Sequence, residues 1–596
     1  MGASVALVTL DRRTIAQMPC NPAIGGIGKG HLVAEIDALG GLQGWAADRA
    51  GIQFKTLNLS RGPAVWGPRA QCDKAAYQRS VRRVVEGLSG VTLIEAEVEG
   101  LVIEEGRASG VILQGGTRIE TEAVVLTTGT FLGGLLHTGE EQRPGGRFGE
   151  RPSTALGEAL EGAGLELRRF KTGTPPRLAR TSIDFEQLAE QGGDPEPRPF
   201  SWRTRSVRNR CVCWVTRTPP EVQTVINENL HRSPLLSGAI EGIGPRYCPS
   251  IEDKVVRFPH HEQHTVFLEP EGLESESIYV NGLSTSLPTD VQEAVVRRIP
   301  GLQRAKFLRY GYAVEYDVVA PLQVRANLEC SSIRGLFLAG QLLGTSGYEE
   351  AAGLGLLAGI NAARALRGED PFIPAREDAY LGVLVDDVCG RDHREPYRMF
   401  TSRAEHRLLL GVDTARERMM EHGRRLGLVR EAAFHVEHAR WTRRRAAAAA
   451  LEGARLTPNV ETRKAVFEKA GVDLSAPTTW ATILRRQDVD AEGVAAALEH
   501  ISDLDAEDRR IVIGHLRYDG YLARQERERA RLHRLRHVEI PGDLDASTVP
   551  GLSREVVEAL GRDRPRTLAD AERVPGMTPA ALAILAGRLD RRGGAR

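Results

Sequence analysis

The sequence predicts an α/β fold with an inserted domain and an all-α C-terminal domain. Three observations carry that prediction. Short β-branched runs alternate with Gly-rich turns and helical patterns through the first part of the chain, as expected of a buried parallel sheet. Between roughly Thr174 and Gln263, Pro, Arg and polar residues take over and clear periodicity is lost. After about Arg367 the chain turns helical and rich in Arg, Ala and Glu. The expected organisation is a first sheet segment over 1–173, an inserted region over 174–263, a return to the sheet over 264–367 and a helical domain over 368–596.

The first buried strand reads as Ser4 to Leu10. Val91 to Val98, Gly110 to Leu113 and Ala123 to Thr127 follow, and Gly335 to Gly340 returns far downstream. Ala351 to Leu366 is an apolar helix, but it holds Asn361 and Arg364 and is too short and polar to span a bilayer. Ala432 to Leu451 and Tyr521 to Arg536 are long charged helices. A weak repeat closes the chain: Val549-Pro-Gly-Leu-Ser553 and Val574-Pro-Gly-Met-Thr578, each ahead of an apolar helical run. Such Ser/Thr-capped turns resemble helix-hairpin-helix elements that hold a phosphate at a helix N-terminus. Two packed helical hairpins fit equally well.

Composition narrows the function classes. Of 596 residues 41% are hydrophobic and 27% charged, which excludes disorder, collagen and coiled coil. Lys+Arg and Asp+Glu are both 79, so any nucleic-acid surface must be a local patch. Seven irregularly spaced Cys point to a reducing, cytoplasmic compartment rather than a disulfide framework. Cys211 and Cys213 form a lone C-x-C without a second pair, so no metal site is expected. Met1 to Leu10 is followed by Asp11-Arg12-Arg13 without a cleavage pattern, so no signal peptide is expected.

Five segments could carry chemistry. Cys20-Asn-Pro-Ala-Ile-Gly-Gly-Ile-Gly-Lys-Gly-His31 places Gly25, Gly26, Gly28 and Gly30 where backbone could approach a ligand closely. It is not a Walker A loop, because Ala23 and Gly30 stand where that motif needs Gly and Ser/Thr. Taken alone, a flexible turn explains it as well. Ala123-Val-Val-Leu-Thr-Thr-Gly-Thr-Phe131 is an apolar strand ending in Thr-Gly. Gly335-Leu-Phe-Leu-Ala-Gly340-Gln341 delivers a polar side chain to a sheet edge, and a helix with Gly353, Gly355 and Gly359 begins behind it. Those glycines cost helix propensity, so close packing should compensate them. The order of these pieces points to an FAD-binding Rossmann-like fold of the type with two dinucleotide-binding domains. Its helix N-terminus would face the flavin where charge accumulates on reduction. Gly244-Pro-Arg-Tyr-Cys-Pro-Ser-Ile-Glu-Asp-Lys254 sets Cys248 between Arg246 and Lys254, either of which could stabilise a thiolate. An inert Cys beside a salt-bridge cluster is the alternative. Finally, Arg398, Arg403 and Arg407 interleave with Tyr397, Phe400 and His406, a composition suited to RNA phosphate and base contact. A solvated helix face explains the charges equally well.

With these motifs quoted together the chain closely resembles one family. Cys20 to Leu32, Lys171-Thr-Gly-Thr-Pro-Pro-Arg177, Gly244 to Lys254, Gly347-Tyr-Glu-Glu-Ala-Ala352 and Pro396-Tyr-Arg-Met-Phe-Thr-Ser-Arg-Ala-Glu405 resemble the glucose-inhibited division protein A family of tRNA uridine-5-carboxymethylaminomethyl modification enzymes. The resemblance runs from Met1 to the C-terminal Pro575-Gly-Met-Thr-Pro-Ala-Ala581. It implies an FAD enzyme reduced by NADH. With the partner GTPase MnmE, such an enzyme builds an aminomethyl or carboxymethylaminomethyl group on C5 of a tRNA wobble uridine. Methylenetetrahydrofolate would supply the carbon, and glycine or ammonium the nitrogen. It also implies a homodimer within a heterotetramer, joined to the GTPase through the C-terminal helices, with no membrane involvement. By the same resemblance Val98, Ser153 and Gln341, with Gly340 beside it, contact FAD. Gly244-Pro245-Arg246-Tyr247-Cys248-Pro249-Ser250-Ile251-Glu252-Asp253-Lys254-Val255-Val256-Arg257-Phe258 would line the nicotinamide-nucleotide site, so 174–263 is expected to hold NAD. Cys20 and Cys248 match the two cysteines implicated in activity. Arg398 and Arg407 match basic positions for tRNA, and Arg403 lies between them.

Uracil C5 is a poor nucleophile. A thiolate adding at C6 would make C5 enolate-like and able to attack an electrophilic one-carbon carrier. Cys248 is the first choice for that thiolate or for guarding the flavin, and Cys20 the second. The sequence departs from the family in two places. The strand and Gly-Gly-Gly-His-Ala-Gly pyrophosphate loop that the resemblance implies before Met1-Gly-Ala-Ser-Val are not there. A chain starting at Met1 is therefore expected to be poorly stable and to bind FAD weakly, with the true start upstream. His406 also stands where the family usually has Tyr. The alternatives are a folate-dependent tRNA uracil-C5 methyltransferase flavoprotein, a general flavin reductase and an inactive tRNA-binding relative. The long helical part after Arg367 argues against the first, and the lack of a redox Cys-x-x-Cys against the second.

Overall fold

The computed structural model describes all residues except Gly62, Tyr247, Cys248, His537, Arg573, Pro575 and 594–596. It divides into two compact units, Met1–Arg443 and Arg444–Arg596. Every strand expected in the first part is present with ends trimmed by one to three residues: Val5–Thr9, Val91–Glu95, Val124–Leu126 and Leu336–Leu338, with Gly110 to Leu113 inside Arg107–Leu113. The parallel layer consists of two hydrogen-bonded pairs, Val5–Thr9 with Val91–Glu95 and Leu336–Leu338 with Val124–Leu126. Among the described residues the pairs are not bonded to each other. Both nevertheless feed one apolar core, which takes in Val8, Ile94, Val124, Leu126, Leu336 and Leu338. Packing rather than a continuous ladder unites them.

The helix Tyr348–Ala365 covers this core with Leu354, Leu357 and Ile360. Gly353 meets the expectation of close packing: a Cβ there would lie 2.8 Å from Leu381. Gly355 and Gly359 do not, since a side chain at either would meet nothing within 4 Å. Helix Lys29–Ala38 packs beside it. Its buried Glu35 carboxylate accepts the backbone N–H groups of Tyr380 and Leu381, both at 2.9 Å, and Arg418 at 2.9 Å. The first N–H groups of helix Tyr380–Gly390, which lack helical partners, are thereby satisfied by a side chain from another helix.

The inserted body is larger than the sequence pattern suggests. Six antiparallel strands run in the order Ala189–Gln191, Cys213–Arg217, Thr265–Pro270, Ser277–Asn281, Arg177–Ala179 and Phe307–Arg309. Trp214 pairs with Leu268, so the boundary expected at 263 falls inside one sheet. The sheet shares a core of its own with Val222, Ile226, Ile251, Val255 and Val295. The pattern failed here because these strands are three to six residues long and separated by polar turns. The helical region expected from 368 also divides: residues 368–443 belong with the first unit.

In the second unit, Trp480, Ile483, Leu484 and Leu516 lie in one apolar cluster, and Val556, Leu560, Leu568 and Leu585 in another. The long helix expected from Tyr521 begins at Ala506, because Ile511, Val512, Ile513 and Leu516 already give it a buried face. Asp505 caps it, accepting the Asp508 N–H at 2.8 Å. The described residues of both turns of the weak repeat cap helices, with Pro575 of the second lying outside the described residues. Ser553 accepts the Val556 N–H at 3.3 Å, and Thr578 the Ala581 N–H at 3.1 Å. Gly551 and Gly576 share the left-handed backbone that each turn requires, at φ +94° and +84°. The helix expected over Ala432 to Leu451 runs Glu431–Gly453. No helix among the described residues is long and apolar enough to cross a membrane, and no cluster of metal-ligating side chains is present among them.

Candidate functional site

The parallel pairing of Val124–Leu126 with Leu336–Leu338 sends Thr127-Thr128-Gly129 and Ala339-Gly340-Gln341 out of the same, carboxyl, edge of the layer. Ligands of open α/β sheets bind at that edge. Gly129 and Gly340 turn there with φ +64° and +72°. A Cβ on Gly129 would lie 3.7 Å from the Gln341 Oε1, so the two loops adjoin. The chain then enters helix Tyr348–Ala365 through Gly344-Thr345-Ser346-Gly347. The buried hydroxyls of Thr128, Thr345 and Ser346 have no hydrogen-bond partner among the described residues. A buried hydroxyl left alone is costly, so Thr345 and Ser346 ahead of the helix N-terminus and Thr128 in the adjoining loop fit a polar ligand. Tyr316, fully buried, faces Gln341, and burial pushes its hydroxyl up to about 12.

The Gly-rich loop is fixed to that same helix. Glu349 and Glu350 occupy its first turn, where the helix dipole favours negative charge. The Glu349 Oε1 accepts the Gly25 N–H at 2.7 Å, and the Glu350 Oε1 accepts the Met399 N–H at 2.9 Å. Lys29 bridges both carboxylates, at 2.7 and 3.1 Å. Burial pushes the Glu350 carboxyl up, but Lys29 and Arg398 outweigh it and hold the group below its ordinary value. Gly28 earns its place by close approach: a Cβ there would lie 2.9 Å from the Phe400 backbone. The loop is thus tied to the helix by Gly25, Lys29 and the close approach of Gly28 rather than standing as a free turn.

Cys20 leads this loop. Its backbone N–H donates to the Tyr348 hydroxyl at 2.9 Å, and its Sγ lies 3.0 Å from the Tyr279 hydroxyl. Asn21 donates to Glu269 at 2.7 Å. Behind Tyr279 stands Arg177, its guanidinium 4.6 Å from the ring centroid, donating to the Pro19 carbonyl at 2.7 Å. Close by, an apolar cavity of about 480 Å³ is lined by Met18, Ile24, Tyr77, Tyr348 and Leu356. None of the residues given a role from the sequence lines it, while Tyr348, Ala352 and Leu356 of the helix Tyr348–Ala365 do.

Comparison with known proteins then decides the family. The model of the glucose inhibited division protein A family matches residues 1–370, and models of the C-terminal helical domain and helical bundle of tRNA modifying enzyme MnmG/GidA match 436–526 and 528–595. The chain belongs to the glucose inhibited division protein A family. Curated relatives from Thermodesulfovibrio yellowstonii and Geotalea uraniireducens, each named tRNA uridine 5-carboxymethylaminomethyl modification enzyme MnmG, are 46% identical. They match over 98% and 100% of this chain and 94% and 95% of their own length. The solved structure of Aquifex aeolicus GidA superposes with TM-score 0.87 at 40% identity, covering 99% of this chain and 94% of that one. The fold is accordingly that of an FAD-binding flavoprotein with a C-terminal helical domain, as the sequence predicted.

The residues present fit FAD. Gly129, Gly340, Gln341 and the hydroxyls of Thr128, Thr345 and Ser346 are the residues that would hold it. Ser153, buried, is tied by its N–H to the Phe131 carbonyl at 2.7 Å, and Val98 opens a strand and packs on the main core.

The stretch Gly244 to Phe258 divides by exposure. Ser250 caps the short helix Ile251–Arg257, and Ile251 and Val255 belong to the core of the inserted sheet. Buried Glu252 accepts from Ser286, and Lys254 donates to the Gly282 carbonyl at 2.8 Å. Arg246, Val256, Arg257 and Phe258 face outward, with Pro245 buried, Asp253 half-buried and Arg246 paired to Glu395 at 3.4 Å. Gly244 and Pro249 are half-buried. Tyr247 and Cys248 lie outside the described residues.

The three arginines also separate. Arg398 is half-buried near Lys29 and Glu350. Arg403 is an internal strut: it stacks on Tyr397 at 4.3 Å, donates to the Arg398 carbonyl at 2.8 Å and pairs with Asp387 at 3.5 Å. Arg407 points outward. His406 is only 5% exposed, so it cannot stack on an RNA base from this position. Arg177 and Tyr348 lie in motifs that carry the family resemblance but were given no role, and Tyr279 was not singled out from the sequence. The available signal was a phenol inside the apolar strand Ser277–Asn281.

Proposed function

We propose that this chain is an FAD-dependent enzyme that builds an aminomethyl or carboxymethylaminomethyl group on C5 of a tRNA wobble uridine. The supporting observation is full-length likeness, at 46% identity, to relatives named for that modification. The C-terminal helical matches speak against the folate-dependent methyltransferase reading. By family resemblance NADH is the reductant, methylenetetrahydrofolate the one-carbon donor, and glycine or ammonium the nitrogen source. By the same resemblance the GTPase MnmE is the partner of a homodimer, acting in the cytoplasm.

When bound, FAD supplies hydride and electron transfer. The chain's own residues hold it and prepare the base. Gly340 and Gln341 would hold the flavin, and the N-terminus of helix Tyr348–Ala365 would favour negative charge beside it. A cysteine thiolate, from Cys20 or Cys248, adds to uracil C6. The C5–C6 electron pair moves into the C4 carbonyl, and C5 attacks the electrophilic carbon. Loss of the C5 proton then expels the thiolate and restores the ring double bond. Arg407, with Arg398 and Arg403 behind it, serves the tRNA backbone. Residues of Gly244 to Phe258, led by exposed Arg246 and Phe258, serve the nicotinamide nucleotide.

Nucleoside analysis of tRNA from a deletion strain tests the reading. The modified wobble base should disappear and return with the wild-type gene, and Cys20→Ser or Cys248→Ser should fail to restore it. Intact modification in the deletion strain refutes the assignment. The purified full chain should show a flavin absorbance that NADH bleaches.

A further inference from the structure

Cys20 sits in a constellation that neither its loop nor its sequence neighbours provide. Tyr279 is 3% exposed and lies on the strand Ser277–Asn281. It pairs directly with Arg177 across the antiparallel ladder. That register lays the guanidinium on the phenol ring, 4.6 Å from its centroid. The same guanidinium holds the carbonyl of Pro19 at 2.7 Å, the residue before Cys20, and pairs with buried Glu271 at 3.4 Å. A second phenol, Tyr348, fixes the Cys20 backbone N–H at 2.9 Å. The sulfur is therefore held from two sides and aimed at one hydroxyl, the Tyr279 Oη, at 3.0 Å.

We propose that Tyr279 is the positioning residue that donates a hydrogen bond to the Cys20 thiolate and keeps that sulfur ionised and oriented for attack on the substrate base. The proposal rests on the reading of Cys20 as a reactive sulfur. A hydrogen bond to the charged form of an acid favours that form. A cation over the ring draws electron density from the phenol and strengthens its O–H as a donor. When the thiol ionises its proton leaves to solvent, and Tyr279 keeps its own. Among the described residues, the groups recorded beside this sulfur are Tyr279 from the inserted sheet, Tyr348 from the flavin-side helix and the positive charge of Arg177. The nearby carboxylates are already paired: Glu271 with Arg177 and Lys74, Glu269 with Arg69, and Glu349 with Lys29.

The test is the pH dependence of Cys20 alkylation by iodoacetamide in the full-length protein, read by peptide mass mapping so that the other cysteines do not interfere. Tyr279→Phe keeps the ring under Arg177 and removes only the donor. Its alkylation midpoint should rise by about one pH unit, which is roughly tenfold slower labelling at pH 7. Tyr279→3-fluorotyrosine, a more acidic phenol, should move the midpoint down. It disturbs packing least and serves if the Phe variant does not fold. Tyr348→Phe should leave the midpoint in place, since that hydroxyl meets the backbone. An unchanged midpoint in Tyr279→Phe, or an upward shift with fluorotyrosine, overturns the proposal. Cys20→Ser tests the underlying reading separately: full tRNA modification by that variant removes Cys20 from the reaction, whatever the labelling shows. If both readings hold, Tyr279→Phe lowers the turnover of tRNA modification with little change in the KM for tRNA.

Discussion

Lys29 is the keystone that joins the Gly-rich loop to the flavin-side helix, and Lys29→Met measures it. The substitution keeps the aliphatic stem and removes the cation between two carboxylates whose side chains are 2% and 0% exposed. Breaking a buried pair by removing one partner costs about 3–5 kcal/mol, because the remaining charge stays buried without compensation. Unfolding entropy of ~2.1 cal/mol/K per residue over the first unit, Met1–Arg443, gives ~0.9 kcal/mol/K. The loss should therefore lower the calorimetric melting temperature of that unit by about 4 °C. Its pH dependence is the sharper check. In the wild-type protein Glu350 is held below its ordinary value, so its contribution is present above the ordinary carboxylate range and is lost as pH falls through the depressed value. Without Lys29, burial pushes the carboxyl up, and it takes a proton as the pH falls. The deficit should be largest at pH 8 and smaller at pH 5.5. A deficit below 1 °C, or one equal at the two pH values, refutes the argument.

Arg407→Ala should weaken tRNA binding and reduce its salt slope by about one while leaving melting unchanged, because the side chain is exposed and, on the proposed function, meets a phosphate. Arg403→Ala should instead lower the melting temperature, by the equivalent of about 1.5–3 kcal/mol for its charged hydrogen bonds, as paired calorimetry and filter binding will show. Gly340→Ala places a side chain at φ +72°, in open contact with Ala351 at 3.5 Å, so only backbone strain opposes it. A cost of about 1–2 kcal/mol and a lower flavin content per chain are expected from urea titration and absorbance. His31 is fully buried, and burial pushes its imidazole down to about 4. The unfolded chain binds its proton near pH 6.5, so this group withdraws stability as pH falls from there towards 4, by roughly 3 kcal/mol in all. His31→Gln should flatten that limb of an acid unfolding curve.

What was legible in the sequence follows from the range of the interactions that set it. The strands of the parallel layer are apolar runs whose neighbours announce them, and the Ser553 and Thr578 caps lie beside the helices they start. The inserted sheet was not legible. Its strands Arg177–Ala179 and Phe307–Arg309 pair across more than a hundred residues, and nothing local marks a three-residue strand. At the site, the spacing of Arg398, Arg403 and Arg407 suggested three equivalent RNA contacts. Asp387 and Tyr397 take Arg403 inward, a choice that depends on a carboxylate sixteen positions upstream. Gly355 and Gly359 show the opposite error, since a helix-propensity argument assigned them packing partners that this chain does not supply.

The geometry also explains why one loop must serve two ends of the molecule's chemistry. Glu349 and Glu350 are adjacent in the chain, and in a helix adjacent side chains diverge by about 100°. One carboxylate therefore reaches Gly25 in the Cys20 loop and the other reaches Met399 in the segment of Arg398 and Arg403. Lys29 touches both. A displacement of the arginine segment by bound tRNA would move the Glu350 carboxylate, and through Lys29 the loop that aims Cys20. Neutralising one arm at a time separates these paths. Glu349→Gln should disturb Cys20 labelling with tRNA affinity retained, whereas Glu350→Gln should weaken tRNA binding first. Equal effects of the two variants on both measurements would show that the triad is only a structural clamp.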